Sequence, residues 1–359
     1  MKKKGQSRIS IKDIAKELNL SITTISFIIN NKAKNRISDE VIAKVEAYIE
    51  KVGYKPNSSA QTLRTGKTNT IVFMVEDISD PFFSSIAKEM EELAFDSGYK
   101  IIFCSTENKK SRAIELISMF KDRQVDAYII TPPEDFEDEI QKLVSENQIV
   151  MLFDRFYKQA DYNYVVLNNF EATKKTINYL LGEGFENIAF IGLQSGLSTL
   201  FDRFEGYKEA VATANRNDLS LLLNFEDVRS KKGSDLFDNF LNNNPNIDAI
   251  LFATNSLAIT GLKILKRKNL EIPLDIGVIT FDDRDLFELH SPPITVMAQP
   301  ISLLAKEVIN GTLKLLKIKN KVQNKVQNKI QVVLEGNLVI RKSSKHTKIE
   351  LKRTKVTRA

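Results

Sequence analysis

The sequence predicts a chain of two unlike parts: a small all-α head of helix-turn-helix type, then a two-lobed α/β body built on parallel sheets. Three observations carry this. Up to about residue 56 the apolar residues recur at helical spacing in three short stretches; from Ile71 the pattern becomes short, almost continuous apolar runs alternating with amphipathic ones. Charge divides at the same place, since residues 1–69 hold 14 Lys and Arg against 6 Asp and Glu, whereas residues 70–340 are net acidic. At 359 residues, the chain is also too long for one small core.

In the head, "IKDIAKELN" places Ile11, Ile14, Ala15 and Leu18 on one helical face. A second helix begins at Ser21, a residue type that caps helices by accepting from an unpaired backbone N–H. Its Ile25, Ile28 and Ile29 form one apolar stripe, while Ile22, Thr23, Ser26 and Phe27 point elsewhere. A third helix runs from a cap at Ser38 to Gly53. Two helices across a short turn, with a third closing the core, make a helix-turn-helix whose second helix suits the major groove of DNA. The short uncharged Ser/Thr face of that helix matches base edges better than bulk water. A basic head on an acidic body fits a polyanion-binding unit joined to a ligand-binding one.

After "GYKPN" a polar segment, "SSAQTLRTGKTNT", leads into the body. The runs "TIVFMVED", "KIIFCST", "DAYIITP", "IVMLFDR", "YVVLNN", "NIAFIGL", "AILFATN" and "GVITFDD" read as strands buried on both faces. Helices such as 84–97, 111–123 and 170–181 separate them. Eight strands are too many for one small sheet, so two lobes with a cleft at the carboxyl ends of the strands are expected.

Several classes are excluded. No apolar run reaches the ~18 residues of a membrane span, and the basic start is followed by charged residues rather than a signal-peptide core. The expected location is therefore cytoplasmic, on the nucleoid. Cys104 is the only cysteine, so disulfides and multi-cysteine metal sites are ruled out, and it reads as a small buried strand residue. No cofactor is expected. An enzyme is disfavoured because the chain has no Gly-rich phosphate loop and no G-x-S-x-G elbow. Its two histidines are His290, read as a helix end at the surface, and His346, in the basic tail. The tandem "NKVQNKVQNKIQ" at 320–331 reads either as a helix extension or as a surface insertion, and residues 341–359 as a basic, solvated, disordered tail.

Four segments taken in order, "IKDIAKELNLSITTISFIIN", "GYKPNSSAQTLRTGKT", "DPFFSSIAKEMEELAFDSGY" and "GVITFDDRDLFELHSPPITVMAQP", carry a family resemblance. From Ile9 to about Ser344 the chain resembles the lactose repressor/galactose repressor family of transcriptional regulators. The resemblance implies a DNA-binding domain at 9–56, a hinge helix and linker at 57–69, and a periplasmic-binding-protein-like effector and dimerisation domain at 70–340. The first lobe would take about 70–167 and 300–331, and the second about 168–298 and 332–340.

It also implies roles. Ile22, Thr23 and the position of Phe27 would read bases, with Ser21, Thr24, Ser26 and Asn30 as capping or phosphate contacts. Many members have arginine where this chain has Phe27; the aromatic ring removes that guanine contact and would instead touch a thymine methyl or thicken the head's core. In the hinge, Asn57 would cap, Ala60 would let two hinge helices approach, Leu63 would wedge into the minor groove, and Arg64 and Lys67 would meet phosphates. A plain flexible linker is the alternative. Asp80, Phe82, Phe83, Asp154, Arg155, Arg203, Asn255, Asp282 and Gln299 would surround the effector. Carboxylates, amides and a guanidinium can bond several hydroxyls while aromatics cover an apolar sugar face. Ser256 departs from the aspartate often found there, which leaves the sugar open.

The expected whole is a homodimeric regulator, a repressor of a sugar-utilisation operon, reading a pseudo-palindromic double-stranded DNA operator and controlled by a small-molecule effector, a sugar. Its rivals are a member with a nucleobase, a phosphorylated effector or none, and a free sugar-binding protein, which the basic head argues against.

Overall fold

The computed structural model describes residues 9–30, 32–54, 67–228, 230–319 and 329–345. The chain divides between Thr68 and Asn69 into two compact units. Asn57, Ala60, Leu63 and Arg64 of the expected hinge lie outside the described residues, as do 320–328 of the tandem repeat and 346–359 of the tail.

The head is three helices, α1 (Ile11–Leu18), α2 (Ile22–Ile29) and α3 (Asp39–Val52). Ser10 starts α1 with a reciprocal capping box: its hydroxyl accepts from Asp13 N–H, and its own N–H donates to the Asp13 carboxylate at 2.8 Å. The helix stops at Asn19, in left-handed backbone. Ser21 caps α2 by accepting from Thr24 N–H at 3.0 Å. Ser38 stands at the start of α3 but its side chain makes no capping bond; Asp39 and Glu40 complement the helix dipole there instead. Ile14, Ala15, Ile25, Ile28, Ala33 and Val45 form the core, with Ile29 half-buried at its rim.

The body contains two six-stranded sheets. The first has the order β11-β5-β4-β3-β1-β2, all parallel, with β1 (Thr70–Val75), β2 (Lys100–Ser105), β3 (Ala127–Ile130), β4 (Val150–Phe153), β5 (Tyr164–Leu167) and β11 (Gln331–Leu334). The second, β12-β10-β9-β8-β6-β7, is parallel except for its edge strand β12. It is built from β6 (Ile188–Leu193), β7 (Leu219–Leu223), β8 (Ala249–Phe252), β9 (Gly277–Phe281), β10 (Thr295–Ala298) and β12 (Asn337–Val339). The eight strands expected from the apolar runs all form. β7, β10, β11 and β12 were not expected, because an edge position leaves β7, β11 and β12 only half-buried and β10 has four residues between prolines.

Helices cover both faces: α4 (Pro81–Asp96), α5 (Lys110–Asp122), α6 (Glu137–Ser145) and α12 (Ile301–Lys319) on the first sheet, and α7 (Asn169–Gly182), α8 (Ser198–Thr213), α9 (Lys231–Asn243), α10 (Asn255–Arg267) and α11 (Asp285–Leu289) on the second. The chain crosses between lobes three times, after β5, after β10 and after β11.

Two expected boundaries move. Residues 332–334 belong to the first lobe, because β11 pairs with β5 (Val332 opposite Val165) and Val332 and Leu334 pack on the first lobe's core. The last crossing is at Glu335–Gly336, where a Cβ on Gly336 would meet Met297 Sδ at 2.6 Å. The body also continues past 340. Ser343 and Ser344 are buried; Ser343 Oγ donates to Val278 O at 2.5 Å and accepts from Thr295 N–H at 2.8 Å, while Arg341 pairs with Asp283. Buried hydroxyls carry no apolar signal, so in sequence this end resembles a solvated tail. No helix of the described residues is long and apolar enough to cross a membrane.

Candidate functional site

Between the lobes lies a cleft of about 440 Å³, and all nine residues expected around an effector line it. They arrive from several strand ends and the helices that follow them. Asp80 follows β1 and caps α4 by accepting from Phe82 N–H at 2.9 Å, which seats Phe82 and Phe83 at the mouth of that helix. Phe82 stacks on Phe153 of β4 at 6.0 Å between centroids. Asp154 and Arg155 follow β4, Asn255 opens α10 after β8, Asp282 follows β9, and Gln299 lies on the crossing after β10. Arg203 sits one turn into α8. Gly206, where a Cβ would fall 2.4 Å from Phe170 O, lets α8 approach α7, so that Arg203 Nε donates to Asn169 Oδ1 at 2.8 Å.

The polar groups form a chain across the cleft. Gln299 Nε2 donates to Asp282 Oδ1 at 2.7 Å, and Asn255 Nδ2 donates to Asp282 Oδ2 at 3.2 Å. The same amide reaches Asp80 of the other lobe at 3.4 Å, and Arg284 Nη1 donates to Asn255 Oδ1 at 2.9 Å. Arg203 lies over the Phe281 ring at 3.8 Å and donates from Nη1 to Ala253 O at 2.6 Å. Arg155 is committed elsewhere, to the Glu76 carboxylate, Asn108 Oδ1 at 2.5 Å and Pro132 O at 3.2 Å, with Asp154 Oδ2 3.4 Å from its Nε. Burial pushes the Asp154 carboxyl up to about 6, against the pull of Arg155 and Arg203. Burial also raises the Asp80 carboxyl and lowers the Arg203 guanidinium, the latter opposed by Asp282 and Asp154.

The lobes also touch beside the cleft. Glu134 accepts from Gly196 N–H at 3.0 Å and from the Ser195 hydroxyl; Lys158 pairs with Asp202; Phe156 N–H donates to Ser198 Oγ at 3.0 Å; and Thr199 Oγ1 donates to Asp154 O at 2.7 Å.

Further lining residues were not singled out in the sequence. Glu76, Asp77, Thr199, Phe225 and Glu226 also face the cleft. Glu76 and Asp77 directly follow β1, so the rule that ligands bind beyond strand carboxyl ends could have found them. Ser256 lines the cleft, its hydroxyl 3.4 Å from Asn255 Oδ1. Cys104 lies half-buried on β2, its thiol pushed up to about 12 by burial. His290 ends α11 with Nδ1 2.8 Å from Pro292 O. Among the described residues no group of acids, histidines and cysteine could hold a metal ion.

In the head, Ile22 and Thr23 are exposed on α2, and Ser26 and Phe27 are half-buried. Asn30 closes the helix, its Nδ2 donating to Ser26 O at 2.6 Å. Phe27 is outside the head's core cluster; the Arg36 guanidinium lies over its ring at 5.6 Å.

A helix-turn-helix unit followed by a two-lobed α/β body with a polar cleft defines a class, the DNA-binding regulator with a built-in ligand receptor. Residues 10–57 match bacterial regulatory proteins of the lacI family, and residues 68–331 match periplasmic binding proteins and the sugar binding domain of the LacI family. The chain belongs to the LacI family of transcriptional regulators. It is 28% identical over 337 residues to the HTH-type transcriptional regulator RegA of Clostridium saccharobutylicum, covering 93% of this chain and 99% of that one. Among solved structures it is similar to the lac repressor dimer bound to operator and the anti-inducer ONPF, with a TM-score of 0.81 at 19% identity over 94% of this chain and 99% of that one. It is similar also to the CelR–cellobiose complex, with a TM-score of 0.68 at 20% identity over 94% and 100% of the two chains. At such identities the structures speak for the fold.

Proposed function

We propose that this regulator is a homodimeric repressor of a sugar-utilisation operon, whose heads read a pseudo-palindromic operator and whose cleft takes a neutral sugar. The observation that carries the reading is the cleft itself: Asp154, Arg203, Asn255, Asp282 and Gln299, drawn from both lobes, face one space beside the Phe82 and Phe83 rings. Such a set accepts from and donates to several hydroxyls at once. The cellobiose bound by the structurally similar CelR supports it.

A phosphorylated effector fits less well. Arg155 is already held by Glu76, Asn108 and Pro132 O, and six carboxylates line the cleft against two guanidiniums. An anion would enter against that excess.

On this reading a bound sugar favours one arrangement of the lobes and so biases operator affinity, by a coupling of ~1–3 kcal/mol. A thermal-shift screen of neutral sugars and sugar phosphates, followed by operator binding with the best ligand, tests it. A neutral sugar that raises the melting temperature and changes operator affinity at least fivefold is expected. Stabilisation by sugar phosphates alone would overturn the assignment.

A further inference from the structure

We propose that Arg36 reads a guanine in the operator from beside α2, and that the Phe27 ring is its positioning residue. The proposal rests on the reading of α2 as the DNA-facing helix and adds a reader that this helix does not itself contain.

The helix, "ITTISFII", has no charged side chain. The cations come from the connection that follows, where Lys32, Lys34 and Arg36 are all exposed. That connection is anchored. Ala33 is buried in the head's core, and its carbonyl accepts from both Arg36 N–H at 2.9 Å and Ile37 N–H at 3.1 Å. Asn35 takes left-handed backbone at φ +64°, a conformation that asparagine tolerates better than most residues. The tight turn returns Arg36 to the C-terminal half of α2, where its guanidinium lies over Phe27 at 5.6 Å from the ring centroid.

The kind of contact matters more than its strength. A ring under a guanidinium holds it through its face and occupies none of the in-plane N–H donors. An ion pair would have occupied them. Among the described residues no hydrogen bond or ion pair engages the Arg36 guanidinium. The head thus presents, at the edge of a helix with Ile22 and Thr23 exposed, one guanidinium with its fork free and its position held. Forked donors match O6 and N7 of guanine in the major groove, and arginine makes this pairing more readily than any neutral side chain of α2 could. A phosphate contact by the same group would be insensitive to sequence.

The test uses the full-length protein in a selection from random duplexes, then measures affinities for single-base variants of the selected site at fixed salt. Arg36→Ala should lose preference for one G·C pair per half-site by about tenfold to a hundredfold, and Arg36→Lys, a point charge without the planar fork, should lose part of it. Phe27→Leu should lose part of that preference at the same pair, and Phe27→Trp should keep it, since indole is the better ring for a cation. Thermal melting of each variant monitors the head's fold, and the lysine and tryptophan variants leave its packing least disturbed. If Arg36→Ala weakens every sequence equally and Arg36→Lys restores wild-type behaviour, Arg36 is a phosphate anchor and the proposal is wrong. An unchanged site in Phe27→Leu removes Phe27 from the account. Thr23→Ala separates the layers: if it alone changes the selected site, α2 reads DNA without Arg36, and if neither it nor Arg36→Ala does, α2 is not the reading helix.

Discussion

Asp154 and Asp282 occupy matching positions on opposite lobes. Each is the first residue after a central strand, β4 or β9, and each takes left-handed backbone, at φ +66° and +67°. Each donates its N–H to the neighbouring strand, Asp154 to Val165 O at 3.3 Å and Asp282 to Met297 O at 3.0 Å. The lobes thus turn a carboxylate into the cleft by the same backbone device. Aspartate is one of the few residue types with a side chain that tolerates this conformation.

Asp154 carries a pH signature. Its folded-state carboxyl, at about 6, lies above its ordinary value near 4, so the fold binds a proton that the unfolded chain has released. Its contribution to stability is therefore greatest below pH 4, falls as pH rises from about 4 to about 6, and is flat above. Asp154→Asn, which suits the same backbone, should flatten that slope in melting temperatures of the ligand-free protein. Asp154→Ala should flatten it too, and lose a further ~1–2 kcal/mol to left-handed strain.

Arg155 is structural first. It is 5% exposed, and removing it strands Glu76 and Asp154. Arg155→Met should destabilise the body by about 2–3 kcal/mol in urea unfolding, below the ~3–5 kcal/mol of a fully buried pair because the Glu76 side chain is 30% exposed. A change under 0.5 kcal/mol would mean water replaces those bonds at little cost.

The Glu134 contact lies outside the cleft lining yet joins the lobes through Gly196 and Ser195. If the sugar favours the lobe arrangement that this contact holds, Glu134→Ala should lower effector affinity about threefold to tenfold by depopulating that arrangement. Calorimetry with the ligand found by screening measures this; equal affinities would mean that the contact does not bias the arrangement that binds.

Leu63 lies outside the described residues, and its wedge role is what the family resemblance implies. Leu63→Ala should weaken specific operator binding and leave effector affinity unchanged. Wild-type operator affinity would dismiss the wedge.

The legible parts of the sequence were those whose physics is local. Eight strands announced themselves because burial on both faces demands continuous apolar runs, whereas the residues lining the cleft came from the family resemblance, since an apolar run says nothing of which polar residue beyond it faces a ligand. Residues 332–334 of β11 look in sequence as if they belong to the second lobe, because the partner β5 is more than 160 residues away in the chain and "QVVL" carries no mark of which sheet it joins. Ser343 and Ser344 resemble a tail in sequence because hydroxyls buried by hydrogen bonds look there like hydroxyls in water. Arg36 over Phe27 was invisible for a different reason: their meeting depends on a left-handed Asn35, not on helical spacing.

The cleft between the lobes is the proposed effector site. Asp282 is 8% exposed and is held by Asn255 and Gln299. Asp282→Ala and Asn255→Ala each remove one partner of a bound hydroxyl and leave others unpaired, a loss of ~1–3 kcal/mol. Calorimetric titration of the screened sugar into the wild type and these two variants, each first shown to melt cooperatively, is the most direct measurement. Affinity lower by roughly tenfold to a hundredfold in both, with operator binding in the absence of sugar preserved, is the predicted result; wild-type affinity in both would contradict the account.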